Sequence, residues 1–207
     1  MPTGRLEAFS DGVLAIIITI MVLELKVPEG HSLHAFTSSV GTGLLTYLLS
    51  FVYIGIYWNN HHHMMHVTTR VTGGILWANL HLLFWLSLFP FSTAWTDQSD
   101  YARTPLVVYG VNLCAAGVAY FVLQTAIIKT QGPTSPLRRA VGKDAKGKLS
   151  PLLYLTGIGF ALGGGADRPN ALTYICIAFF VGVAVMWLVP DRRIERSIVT
   201  DDAPILD

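Results

Sequence analysis

Four of the seven histidines, His61, His62, His63 and His66, fall within six residues of one another. His62 and His66 are one helical turn apart, a spacing that lets two imidazoles on one helix face hold a divalent metal. Imidazole also titrates near neutral pH, so the cluster could bias a polar network containing Arg5 and Asp11. The metal reading lacks supporting ligands. No Asp or Glu lies inside the cluster, and Cys114 and Cys176 sit far apart in apolar stretches, supporting neither a thiolate site nor a disulfide. A histidine metalloprotein would need His61, His62 and His66, with His81 as a fourth candidate, to converge. No metal and no other cofactor is expected. Enzymatic chemistry is not expected either: the chain has no Walker loop, no Gly-x-Ser-x-Gly elbow and no paired glutamates within one helix. His81, between Leu80 and Leu82, reads as a hydrogen-bonded packing residue whose partners Asn79 shares.

A second polar group opens the chain. Arg5, Glu7, Ser10 and Asp11 run straight into Gly12-Val13-Leu14-Ala15-Ile16-Ile17-Ile18-Thr19-Ile20-Met21-Val22-Leu23. A helix from 5 to 27 would be about 34 Å long at 1.5 Å per residue, enough for a tilted crossing of a hydrocarbon layer of about 30 Å. Charges in its first two turns are costly in lipid and demand protein partners or water. With Ile16 set at zero on a helical wheel, Arg5, Phe9, Ile20, Leu23 and Val27 fall within about 40°, Gly12 lies at that edge, and Thr19 is just outside it. Asp11 lies opposite. One face is an aliphatic ladder with a small-residue and hydroxyl shoulder; the other carries an acid suited to bracing the helix against its neighbours.

The elements that position these residues follow from composition. With 52% hydrophobic and 13% charged residues and a mean hydropathy of +0.51, the chain reads as an integral membrane protein of the cell membrane. The net charge of +1, without a basic stripe interleaved with aromatics, excludes nucleic acid as a partner. The N-terminal stretch mixes acids into its first turns and lacks a small-residue cleavage site, so it is expected to be retained rather than cleaved as a signal peptide. Apolar runs predict six spans in a single domain, 1–207: about 5–27, 43–65, 71–95, 105–128, 149–164 and 169–189. A short polar loop reaches about Gly41, Pro90 kinks the third span, and 129–148 forms a basic loop or short surface helix.

Charge placement supports that count. With both termini on one side, that side receives Arg5, Arg70, Lys129, Arg138, Arg139, Lys143, Lys146, Lys148, Arg192, Arg193 and Arg196, and the other only Lys26, Arg103 and Arg168. The bias predicts cytoplasmic termini and a cytoplasmic 129–148 loop, its basic residues near lipid headgroups.

The motif Arg5-x-x-x-Phe9-Ser10-Asp11, followed by Gly12, the isoleucine ladder and Leu23-Glu24-Leu25-Lys26-Val27-Pro28, closely resembles the transmembrane protein 175 family of potassium channels. Trp58-Asn59-Asn60-His61 at the end of the second span extends the resemblance. The resemblance implies a passive potassium-selective channel: an all-α homotetramer of six-helix subunits whose first helix lines a central pore. It implies a constriction at Ile16, a contribution of Thr19 to cation selectivity, and an apolar lining continued by Ile20 and Leu23. A ring of isoleucines can gate by dewetting, and no Thr-Val-Gly-Tyr-Gly filter is present. A weakly selective cation or proton channel is the alternative within transport. Glu24, near the outer end of the ladder, would form a ring of carboxylates at the pore mouth, or else a solvated helix end offset by Lys26. Asp11 is expected to accept hydrogen bonds near Trp58, Asn59, Asn60 and His61 to His63.

Overall fold

The computed structural model describes residues 2–132, 134–142, 144–166 and 168–188. Lys143, Arg192, Arg193 and Arg196, counted above for topology, and the expected end of the last span at Val189 lie outside them. Eight α-helices are described: α1 Thr3–Met21, α2 Leu33–His66, α3 Gly73–Ser87, α4 Phe89–Gln98, α5 Arg103–Gln131, α6 Pro136–Val141, α7 Ala145–Leu162 and α8 Ala171–Leu188.

Local chemistry sets most of these boundaries. α2 starts at Leu33 because the Ser32 hydroxyl accepts a hydrogen bond from the Ala35 amide at 3.0 Å, an N-cap that satisfies an otherwise orphaned donor. The stretch expected to be a polar loop up to Gly41 is therefore helical. Thr72 caps α3 in the same way through the Ile75 amide. The expected kink at Pro90 is a full interruption: α3 ends at Ser87, Leu88 links the segments, and Pro90 lies in the first turn of α4, where its missing N–H has no intrahelical acceptor to lose. The 129–148 segment is not a plain loop. It holds the end of α5, the short α6 and the start of α7, which Asp144 caps through the Gly147 amide at 3.0 Å.

Among the described residues, four stretches are long and apolar enough to cross a membrane: Thr3–Glu24, Gly73–Gln98 across the α3/α4 break, Arg103–Gln131 and Ala171–Leu188. α2 and α7 are also long, at 34 and 18 residues. α7 is less apolar because it carries Lys146, Lys148 and Ser150 in its first turns.

α1 packs against α2, α3 and α4, while α5 sits between α3 and α7, and α8 closes on α7 and α2. The core is aromatic. Phe180 of α8 contacts Tyr109 and Tyr154 edge-on or tilted at 6.0 and 6.2 Å, and Tyr53 meets Phe89 and Tyr154, each at 6.3 Å. Phenols buried in an apolar interior need hydrogen-bond partners. The Tyr53 hydroxyl donates to the Phe180 carbonyl at 2.6 Å, and Tyr109 shares Ser50 at 3.0 Å. Gly110 of α5 and Gly157 of α7 admit Phe180 to this cluster: a Cβ on either would lie 2.6 or 2.8 Å from its ring.

Candidate pore-lining site

α1 divides its residues cleanly. Leu6, Ser10, Leu14, Ile17 and Met21 are buried against the bundle, a spacing of three and four that defines one helix face. The opposite face, with Arg5, Phe9, Gly12, Ile16, Thr19, Ile20 and Leu23, is exposed. The adjacent residues Ile16 and Ile17 mark the division, at 58% and 4% exposure. In a hydrated loop such a stripe would be costly; on a membrane helix it is an open face that awaits lipid, water or another chain.

Thr19 sits within the stripe with its hydroxyl proton committed. Its Oγ1 donates backward to the Ala15 and Ile16 carbonyls at 3.0 and 2.9 Å, so its lone pairs remain as acceptors on the exposed face. The regular helix stops short of the expected Val27. After Met21 the chain tightens into a 3₁₀ turn, Val22–Glu24, closed by the Leu25 amide to the Val22 carbonyl at 3.2 Å, and Leu25 is already extended. A 3₁₀ turn advances by about 120° per residue rather than 100°, so Leu23 and Glu24 are rotated relative to the ladder expected from a continuous helix. Glu24 is exposed and, with Ile16, Ile20, Phe91, Trp95 and Gln98, lines an open groove of about 630 Å³ between α1 and α4.

The inner face is held by side chains of the expected motif, though not as one cluster. Ser10 donates to the Leu6 carbonyl at 2.9 Å and accepts from Asn79 Nδ2 at 2.9 Å. Because the Asn79 amide donates there, its Oδ1 is the acceptor for His61 Nε2 at 2.7 Å. Three helices, α1, α2 and α3, thus meet in one buried chain of hydrogen bonds, with His61 Nδ1 left unpartnered among the described residues. Asp11 accepts instead from Trp58 Nε1 at 3.1 Å. Arg5 is exposed and makes no ion pair among the described residues. Asn59 is exposed, and Asn60 donates locally to the Ile56 carbonyl.

Glu7 was not singled out as a partner for the histidines, yet it meets His62 Nδ1 at 2.8 Å. Glu7 and Asp11 are one turn apart on α1; Trp58 and His62 are one turn apart on α2, with their rings stacked at 6.3 Å and 25°. Two antiparallel helices bring such i, i+4 pairs face to face in reverse order, and that matched spacing was the signal available in the sequence. The histidines do not converge. His61 turns inward to Asn79, His62 turns to Glu7, and His81 accepts from Trp85 Nε1 on its own helix at 2.9 Å. No group of three or more His, Cys, Asp or Glu able to hold a metal occurs among the described residues. Cys114 and Cys176 are free thiols.

Comparison with known proteins bears on what this arrangement is. Residues 5–90 match the family model described as the endosomal/lysosomal potassium channel TMEM175. A potassium channel of Chryseobacterium sp. is 49% identical over 198 residues, 96% of this chain and 98% of its own. The human endosomal/lysosomal proton channel TMEM175 is 32% identical over 112 residues, 49% of this chain and 22% of its own. Among solved structures, the lysosomal potassium-selective channel TMEM175 homolog from Chamaesiphon minutus superposes with a TM-score of 0.74 at 27% identity, covering 91% of this chain and 97% of that one. An identity of 49% across nearly the full length of both chains, with the fold of a solved relative, is decisive: this chain belongs to the TMEM175 family, a family of membrane ion channels and not of enzymes.

Proposed function

We propose that the chain forms a passive potassium-selective channel in the cell membrane: four copies surround a central pore lined by α1. The observation that carries this reading is the division of α1. Its inner face is fixed to α2 and α3 by the Ser10, Asn79 and His61 bonds, while Ile16, Ile20 and Leu23 remain exposed. Cyclic symmetry is the simplest way for one such helix per chain to enclose a pore. Ile16 is the constriction, dry when four side chains meet, and Ile20 and Leu23 continue the lining. At Thr19, four hydroxyl oxygens whose protons are held by helix carbonyls present only lone pairs to a passing cation. Glu24 forms the outer ring of carboxylates that concentrates cations at the mouth.

In this reading the subunit crosses the membrane six times, α2 and α7 joining the four more apolar stretches, with both termini cytoplasmic in keeping with the basic residues at that end. Ser10, Asp11, Trp58 and His61 brace α1 and do not touch ions. Lipid surrounds the assembly, and potassium is its permeant ion; no cofactor takes part.

The test is ion flux into liposomes holding the purified protein, with potassium and sodium compared and Ile16→Asn run beside the unmodified chain. Potassium-selective flux, with conductance raised or selectivity loosened by the substitution, is expected. Silence in both, at protein densities where tetramers are recovered by cross-linking, would refute the channel. A second reading, a weakly selective cation and proton channel, is favoured by the name of the human relative. Acidification of the same liposomes under a potassium gradient separates the two.

A further inference from the structure

Away from α1, an open groove of about 870 Å³ runs between α2 and α8 over the flank of α5. Its walls are largely apolar, with Leu45, Leu49, Leu106, Ile177 and Val181 among them; hydroxyl-bearing Thr and Tyr side chains also line it, and its only charged lining residues are Asp100 and Arg168. Asp100 and Tyr101 sit in the α4–α5 turn, and Arg168 sits in the α7–α8 connection. These two segments are tied together at one end of the bundle: the Arg103 amide donates to the Ala166 carbonyl, and the Arg103 guanidinium donates to the Gly164 carbonyl at 3.0 Å from Nε. The two charged residues therefore lie at one end of the groove.

The turn that presents them is built at a cost. Asp100 and Tyr101 are consecutive side-chain-bearing residues with φ of 49° and 56°, a conformation unfavourable for L-residues. The Tyr101 hydroxyl is pinned to Thr46 Oγ1 at 2.5 Å, which fixes the turn against α2. Among the described residues, neither Asp100 nor Arg168 is in an ion pair. One carboxylate and one guanidinium thus border the same groove without neutralising each other.

We propose that this groove holds a single zwitterionic aminophospholipid, its acyl chains along Leu45, Leu49 and Val181, its phosphate on Arg168 and its ammonium on Asp100. An anionic headgroup would satisfy Arg168 and be repelled by Asp100. A choline headgroup would meet both charges but has no N–H to donate to the carboxylate. The amine headgroup alone answers both. On the six-span topology proposed above, this is a lipid of the outer leaflet. The site itself does not depend on conduction, because no residue of α1 lines it.

The experiment is native mass spectrometry of the full chain released from detergent micelles, with phosphatidylethanolamine, phosphatidylglycerol and phosphatidylcholine supplied at equal concentration. One phosphatidylethanolamine per chain is expected, retained about tenfold above the other two, the difference one charge-assisted hydrogen bond makes. Arg168→Gln, in an exposed connection, should lower its retention by a similar factor. Asp100→Asn should erase the preference for amine over choline. Val181→Trp, at a partly exposed groove position, should exclude all three. Equal retention of the three lipids, no retention by the unmodified chain, or a Val181→Trp variant that keeps phosphatidylethanolamine would each overturn the proposal. So would a Val181→Trp variant that changes the number of chains per particle without changing bound lipid, since the occupant would then be a second copy of the chain. Flux through the pore is not read in any arm, so failure here and failure of the channel reading are separable.

Discussion

Replacing Asn79 with Leu tests whether the buried bonds between α1, α2 and α3 hold the candidate pore helix in place. Asn79 has no exposed surface, and leucine is similar in size, so the substitution removes polarity without opening a large cavity. Two hydrogen bonds disappear, to Ser10 and from His61, at about 0.5–1.5 kcal/mol each, and His61 Nε2–H is stranded at about 1–3 kcal/mol more. Ser10 is not stranded, because its proton already belongs to the Leu6 carbonyl. Hydrogen bonds between helices in lipid average nearer about 0.6 kcal/mol, which sets the expected loss at about 2–4 kcal/mol. Unfolding in mixed micelles, titrated with denaturing detergent and followed by tryptophan fluorescence, would read it. Asn60→Leu is the control, since Asn60 donates only within its own helix; it should cost less than about 1 kcal/mol. Removing both partners in His61→Leu with Asn79→Leu should recover most of the loss, since no buried donor is then abandoned. An Asn79→Leu loss no larger than that of Asn60→Leu, or a double variant no better than the single, would refute the reasoning.

Other substitutions separate packing from lining. Ile17→Ala should destabilise the chain by about 2–5 kcal/mol in the same titration, as a truncation in a closed core does, whereas Ile16→Ala should leave stability within about 0.5 kcal/mol and change only flux. Thr19→Val keeps the shape of the side chain and removes its oxygen, so the potassium-to-sodium flux ratio should fall while assembly, read by cross-linking, is unchanged. Gly110→Ala would drive a methyl to 2.6 Å from Phe180 and should cost about 1–3 kcal/mol; Gly55→Ala, with nothing within 4 Å of the added carbon, should cost nothing measurable. Glu7→Gln breaks the pair with His62, whose members are 23% and 48% exposed, and the loss should stay below about 1 kcal/mol.

The two faces of α1 were legible from a helical wheel because a period near 3.6 separates Ile16 from Ile17 whatever surrounds the helix. The partners on the inner face were not. Asn79 was expected to share the partners of His81, yet His81 accepts from Trp85 while Asn79 meets Ser10 and His61; that meeting depends on where α1 and α3 cross, and no spacing within either helix encodes that. Glu7 and His62 were closer to legible, since matched i, i+4 pairs on two antiparallel helices suggest a register. The start of α2 was hidden by Gly41 and Gly43, which read as breakers although the Ser32 cap lies ahead of them and the helix carries through both. The Pro90 break was visible as a kink; that the chain would stop and restart at Leu88 depended on whether the carbonyls of the turn before it could find other hydrogen-bond donors.

The outward face of α1 is as oily as the lipid that would otherwise cover it. Inside a bilayer the hydrophobic effect therefore gives the four such faces of the proposed tetramer no reason to meet, and association would rest on close fit and on the few polar groups they share. A lone folded subunit is thus a legitimate resident of the membrane, and assembly obeys dilution: spreading the same number of chains over more lipid shifts the population toward single copies. Vesicles loaded sparsely would be silent even if every molecule were correctly folded, and activity should climb with a steep power of the protein-to-lipid ratio before it becomes proportional to it.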